Sequence, residues 1–238
     1  MVLSNNHFSS GSGETLYAVI ANATLSEDNT LLNFRRNNFE LIPYMYIHPS
    51  WLILYERIMH NLRVHEKNHI LITGSPGVGK SQFKYYCMWC TISSENCPSF
   101  IFQSQPNAAV LYSASSDSDI SNPRKGPEDL PFFVDILEQA GPNIYLVQIS
   151  AYTIVFSSPD NSRFKEFMKH RDSIKYILEP WSEEEVYKAW IPSFNKVPKE
   201  KVASQYAIYG GVPRYLFNHS DQFYVPMKFA LGTNGSYD

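Results

Sequence analysis

His69-Ile-Leu-Ile-Thr-Gly-Ser-Pro-Gly-Val-Gly-Lys-Ser81 is the stretch that decides the fold. Its first five residues are a short apolar run rich in branched side chains, the signature of a strand buried on both faces. From Gly74 the pattern changes to G-x-x-x-x-G-K-[ST], a phosphate-loop pattern. The glycines allow a tight winding that turns backbone N–H groups toward phosphate oxygens. Lys80 supplies a point charge for the β- and γ-phosphates, and the Ser81 hydroxyl a ligand for Mg²⁺. After Gly79, Phe83, Tyr86, Cys87 and Cys90 recur at i, i+3, i+4 and i+7, which predicts a helix with one apolar face. Its positive dipole end would point at the same phosphates. Strand, loop and helix therefore occur in the order that the motif requires. The expected cofactor-binding set is Gly74, Ser75, Pro76, Gly77, Val78, Gly79, Lys80, Ser81 and Gln82, for ATP or GTP with Mg²⁺.

Alternation of strands and helices extends outward from this core. Leu52, Tyr55, Ile58, Met59 and Leu62 share a helical face before it. Phe100–Gln103 and Ala109–Tyr112 read as strands separated by a Gln-Pro-Asn turn. A loop rich in Ser, Asp and Pro is expected over 113–127, and a helix from about Asp129 to Gln139 that stops at Ala140-Gly141-Pro142. Ile144–Ile149 and Thr153–Phe156 read as buried strands, and Ser173–Leu178 as a further one. Phe164, Phe167 and Met168 share a face. Ser182-Glu-Glu-Glu185 is a capping-box pattern that opens a helix with Val186, Ala189 and Trp190 inward. Val202–Tyr209 predicts another helix, halted at Gly210-Gly211. The sum is an α/β fold, a phosphate-loop architecture with a mainly parallel sheet flanked by helices and a small helical C-terminal part. The expected organisation is an N-terminal extension over 1–45, partly disordered, a domain over 46–225 and a tail over 226–238.

Composition narrows the class. The chain has 238 residues, 44% hydrophobic and 15% aromatic, enough apolar material for a sizeable core and too much for a disordered chain. No run approaches the roughly 20 apolar residues of a membrane span. The net charge is −3, whereas a protein that binds nucleic acid mainly by neutralising phosphates is usually basic. Three cysteines, Cys87, Cys90 and Cys97, are too few and too odd in number for a disulfide framework. Together with an N-terminus that lacks a cationic start and an apolar core, they point to a cytoplasmic or nuclear setting.

Hydrolysis asks for an acid at the end of a second strand. The strand chosen for that role is Ile144–Ser150, where Gln148 stands and no carboxylate does; Asp135, Glu138 and Asp160 lie elsewhere in the expected layout. Ser158, in the Ser157-Ser158-Pro159 turn, and Arg214, in Gly210-Gly-Val-Pro-Arg214, are candidate sensors of the γ-phosphate. Cys87-x-x-Cys90 falls on the apolar helix face, which favours a buried structural role over a metal site. Glu183–Glu185 complement a helix dipole. Arg163, Lys165, Lys169, Arg171 and Lys175 read as a solvated face, and the histidines are scattered.

Three segments together resemble the nucleoside triphosphatase module of the Crinkler effectors and the related retrotransposon-hot-spot proteins. They are His69–Ser81, Val155–Asp160 through Trp181-Ser-Glu-Glu-Glu185, and Tyr209-Gly-Gly-Val-Pro-Arg-Tyr-Leu-Phe217, with Tyr46-Ile-His-Pro-Ser-Trp51 as lead-in. The resemblance covers roughly residues 46–217. It implies an AAA/STAND-like nucleoside triphosphatase, and for the family a host-nuclear setting with nucleic acid as target. This chain departs from the family where Tyr145-Leu-Val-Gln148 replaces Tyr-Leu-Val-Asp. No delivery motif is read in residues 1–45, and the 24 residues that follow Arg214 are too few for a nuclease domain. The expectation is a triphosphate-binding module with weak or conditional hydrolysis. A non-hydrolysing switch, and a scaffold for host protein or nucleic acid, are the alternatives; assembly into oligomers is compatible with each.

Overall fold

The computed structural model describes residues 15–34, 44–64, 67–94, 99–105, 108–112, 118–120, 131–135, 152–160 and 164–217. They fall into two compact units, one spanning 1–76 and 80–178, the other 77–79 and 179–238.

The first unit is built on a seven-stranded sheet. His69–Gly74 (β4), Phe100–Gln105 (β5), Phe132–Asp135 (β8), Thr153–Phe156 (β9) and Ser173–Leu178 (β10) run parallel in the order β10-β4-β9-β8-β5. Ala108–Tyr112 (β6) and Ser118–Ile120 (β7) extend it antiparallel beyond β5. Ile70, Leu71 and Ile72 have no exposed surface, as expected for a strand with parallel neighbours on both sides. Pro49–Arg63 (α2) and Lys80–Ile92 (α3) are the two long helices of the unit. Pro49 fits at the first position of α2 because its missing N–H would be unpaired there anyway.

Aromatic side chains tie these elements together. Trp51 of α2 packs on Phe83 and Tyr86 of α3, with centroids 5.6 and 6.1 Å apart. Phe83 meets Phe156 edge-on at 6.2 Å, Phe156 meets Phe133, and Phe133 meets Phe100 at 5.7 Å. Each such pair contributes about 0.5–1.5 kcal/mol beyond its area, so the high aromatic content is spent on joining α2 and α3 to the middle of the sheet.

Two expectations are corrected here. Phe132–Asp135, placed inside a helix over 129–139, is a strand held between β5 and β9. Part of the loop expected over 113–127 is likewise strand, Ser118–Ile120. The expected strand over 144–149 and Cys97 lie outside the described residues. Leu16–Ala21 (α1) packs against α3, and Leu16, Val19, Ile20, Leu32 and Phe34 are buried. Thr24–Leu25 (β1), Leu31–Asn33 (β2) and Tyr44–Tyr46 (β3) form a small antiparallel sheet.

The second unit is helical: Glu183–Ala189 (α4), Lys199–Tyr209 (α5) and Pro213–Phe217 (α6). The capping box is present as expected. Glu185 N donates to Ser182 Oγ, and Ser182 N donates to Glu185 Oε2 at 2.7 Å. Val186 and Ala189 are buried, whereas Trp190 is only half-buried and donates its indole N–H to Val197 O at 2.7 Å. It begins a π-helical turn, Trp190–Phe194, where Pro192 has no N–H to continue the α-helical ladder. Replacing Ser182 by alanine removes one half of the box. It is expected to cost about 1 kcal/mol, measurable as an earlier urea midpoint; an unchanged midpoint would show that the cap is idle.

Candidate functional site

Geometry at the carboxyl end of β4 follows directly from the motif. The strand ends at Gly74 and α3 begins at Lys80, so only five residues turn the chain from sheet to helix. Gly77 has φ +86°, a region that costs an L-residue roughly 1–2 kcal/mol. It also has no room for a side chain, since a Cβ there would lie 2.5 Å from Arg214 Cβ. Gly79 shares the positive φ, at 108°. Lys80 folds back over the loop and donates from Nζ to Gly74 O at 2.7 Å and Ser75 O at 3.0 Å. Its ammonium is thus held at the centre of the loop rather than extended into solvent. Ser75, Pro76 and Ser81 are exposed; Gly77, Gly79, Lys80 and Gln82 are partly so, and Val78 is buried.

A second cation lies one turn along α3. Lys84 is buried, with Nζ 4.7 Å from the ring centroids of Tyr85 and Phe102. Its long stem and charge are absorbed by aromatic faces, which leaves Lys80 as the loop's own cation. Cys87 is buried and Cys90 largely so, and burial pushes the Cys90 thiol up to about 12. Burial raises Cys87 as well. Thiols so raised are neither nucleophiles nor ready metal ligands, in agreement with a structural role.

The sheet places further polar residues level with this loop. Ile72, Phe156 and Asp135 are aligned across β4, β9 and β8. Asp135 therefore ends an apolar strand two positions from β4, roughly 10 Å away at the usual strand spacing. Asp135 is thus an acidic residue at the end of a strand, and Gln148 lies outside the described residues. Next to this level are two buried hydroxyls. Thr73 is 4% and Ser157 1% exposed, and neither Thr73 Oγ1 nor Ser157 Oγ has a hydrogen-bond partner among the described residues. Ser157 N donates to Ile72 O at 3.0 Å, which continues the β4–β9 ladder one residue past Phe156. Buried hydroxyls are normally paired, and leaving one unpaired costs about 1–3 kcal/mol. Ser158, the expected sensor, is half-buried beside Ser157.

Arg214 is exposed at the surface of the second unit. Its backbone N donates to Gly77 O at 3.3 Å, and its Cβ and Cδ lie against Gly77. Gly211 precedes it in a tight place. Trp181 N donates to Gly211 O at 2.7 Å, and a Cβ on Gly211 would collide with the Trp181 backbone. The Gly-Gly-Val-Pro-Arg turn is thereby clamped between Trp181 and the tip of the loop.

Read from sequence, Asp135 and Ser157 are named without a role and Thr73 is not singled out. The signal for Asp135 was available, an apolar run ending in an acid, but the burial of the hydroxyls was not. No family model matches this chain, and no curated protein matches it. Among the described residues no helix is long and apolar enough to cross a membrane.

Proposed function

We propose that the chain is a nucleoside triphosphate-binding module, with ATP or GTP held as the Mg²⁺ complex. The observation that carries this reading is the Gly74–Ser81 loop, at the carboxyl end of a central parallel strand and running straight into a 13-residue helix. Ligands of open α/β sheets bind outside the carboxyl ends of strands, where connections diverge to opposite sides. The chain leaves β4 for β5 on one side, and leaves its neighbour β9 for β10 on the other. Loop N–H groups and the α3 dipole would take the phosphates. Lys80 would exchange its two carbonyl acceptors for phosphate oxygens, and Ser81 would ligate Mg²⁺.

Hydrolysis asks for an acid that acts on the metal's water shell and the attacking water, and Asp135, at the end of β8, is the acidic residue that the strand register offers for it. Titration of the purified chain with a fluorescent, slowly hydrolysed ATP analogue and Mg²⁺, with ATP and GTP as competitors, tests the binding. Saturable binding displaced by either nucleotide supports the reading, and absence of saturation overturns it.

The two buried hydroxyls give a sharper test. Ser157→Ala removes an unpaired polar atom, so the ligand-free variant should be as stable as the parent, or up to about 1 kcal/mol more stable. If the hydroxyl instead completes its hydrogen bond on the bound phosphate or its water, the same variant should lose about tenfold in phosphate release. A thermal melt and a phosphate-release assay on one preparation separate the two effects. Lost stability with unchanged turnover would remove Ser157 from the site.

A further inference from the structure

At the opposite, amino-terminal end of β4 lies a cluster with no part in triphosphate chemistry. His69 is the first residue of β4, and Asp172 directly precedes β10, its parallel neighbour. His69 Nδ1 lies 2.9 Å from Asp172 Oδ2. The His170 ring is stacked on His69, with centroids 4.3 Å apart and planes 2° from parallel. One ligating atom from each of the three residues falls within 4.8 Å of the others. We propose that His69, His170 and Asp172 form a binding site for a transition-metal dication of the Zn²⁺ class.

A plain tether between two strands needs only one imidazole and one carboxylate. His170 is additional; it is exposed, yet it is placed over His69. Its backbone is anchored, because Ser173 Oγ donates to His170 O at 2.7 Å and to Met168 O at 3.1 Å. Ser173 N also donates to His170 O, and Phe167 closes one side of His69 edge-on at 5.4 Å. Three donors are thus carried on a strand start and a braced turn, the support a metal site requires. Metal bonds of about 2.0–2.2 Å put neighbouring donors roughly 3 Å apart, the spacing that His69 and Asp172 already have. The metal would take the place of the proton between them. Parallel rings cannot aim both lone pairs at one point, so His170 must tilt, and its exposure permits this.

Two nitrogens and one oxygen suit Zn²⁺, Co²⁺ or Ni²⁺; Mg²⁺ prefers oxygen alone. The site is therefore chemically distinct from the Mg²⁺ position at Ser81 and independent of the nucleotide proposal. Nearby cations are Arg171, Lys67, whose Nζ donates to Arg171 O, and Lys169, which is paired with Glu166. The effect of binding would be to staple the amino ends of β4 and β10.

Full-length chain stripped with a chelator should be titrated with Co²⁺, followed by its visible ligand-field bands, and then with Zn²⁺ against a chromophoric chelator. The expected result is one ion per chain, without the charge-transfer band of a thiolate. Affinity should fall at least about tenfold in His170→Ala and in Asp172→Asn, and be unchanged in Lys80→Ala. Zn²⁺ should raise the melting temperature of the parent and not that of His170→Ala, whose exposed side chain can be lost without unfolding. No stoichiometric binding, or binding that persists in both site variants, overturns the proposal.

Discussion

Lys80→Ala should bind the Mg²⁺–triphosphate complex roughly a hundredfold more weakly than the parent while melting at nearly the same temperature. The two halves of this result have different origins. Hydrogen bonds to charged groups contribute about 1.5–3 kcal/mol, and the ammonium of Lys80 would meet two phosphate groups. Loss of that contact corresponds to about one to two orders of magnitude in affinity. In the ligand-free chain the same ammonium donates to Gly74 O and Ser75 O. Gly74 is the buried end of β4 but Ser75 is exposed, and water can replace a donor at that loop carbonyl at little cost. The side chain fills no part of the apolar core, which α3 supplies through Phe83, Tyr86, Cys87 and Met88. Binding followed by fluorescence and stability followed by thermal melting should therefore separate. Undiminished affinity in the variant would place the nucleotide elsewhere. A collapse of stability would mean that Lys80 holds the loop together, and that lost binding says nothing about phosphate contact.

How far the sequence disclosed this site depended on how local each feature is. The strand, loop and helix around Gly74–Ser81 are contiguous, and their patterns of two, tight turn and 3.6 follow one another without interruption. The same holds for the capping box at Ser182–Glu185 and the stop of α5 at Gly210. Phe132-Phe-Val-Asp135 is a different case. Four residues are too short for periodicity to separate a strand from a helix. The Ile-Leu-Glu-Gln-Ala that follows draws the run into a helical pattern. What makes it a strand is its pairing, Phe133 opposite Phe102 on one side and Ile154 on the other, and neither partner is near it in sequence. A longer apolar run, 144–150, therefore reads from sequence as the strand that should carry the acid. Burial of Thr73 and Ser157 depends on neighbours in the same way. His69 and Asp172 are brought together only because β4 and β10 pair in register, Ser173 beside His69. Between them lie some hundred residues, over which no spacing rule for metal ligands operates.

Asp135→Asn is the variant that turns the corrected topology into a kinetic result. On the proposed reading the carboxylate acts only through charge, on the metal's water shell and on the attacking water. Asparagine keeps its size and position and removes that charge. Binding of the slowly hydrolysed analogue should persist within about threefold, because loop N–H groups and Lys80 supply most of the phosphate contacts. Phosphate release should fall by roughly 10²–10³, the usual effect of deleting one group that stabilises charge in the transition state. The companion variant is Gln148→Asp, which restores the acid where the family resemblance put it. If β8 carries the acid, that change leaves turnover unaltered, since the role is already filled. If turnover instead survives in Asp135→Asn and rises in Gln148→Asp, then the strand end of β8 is a bystander. The chain would then be a triphosphate switch that has lost its catalytic carboxylate. The β8 assignment predicts the opposite pair of outcomes, and a single phosphate-release assay on the two variants decides between them.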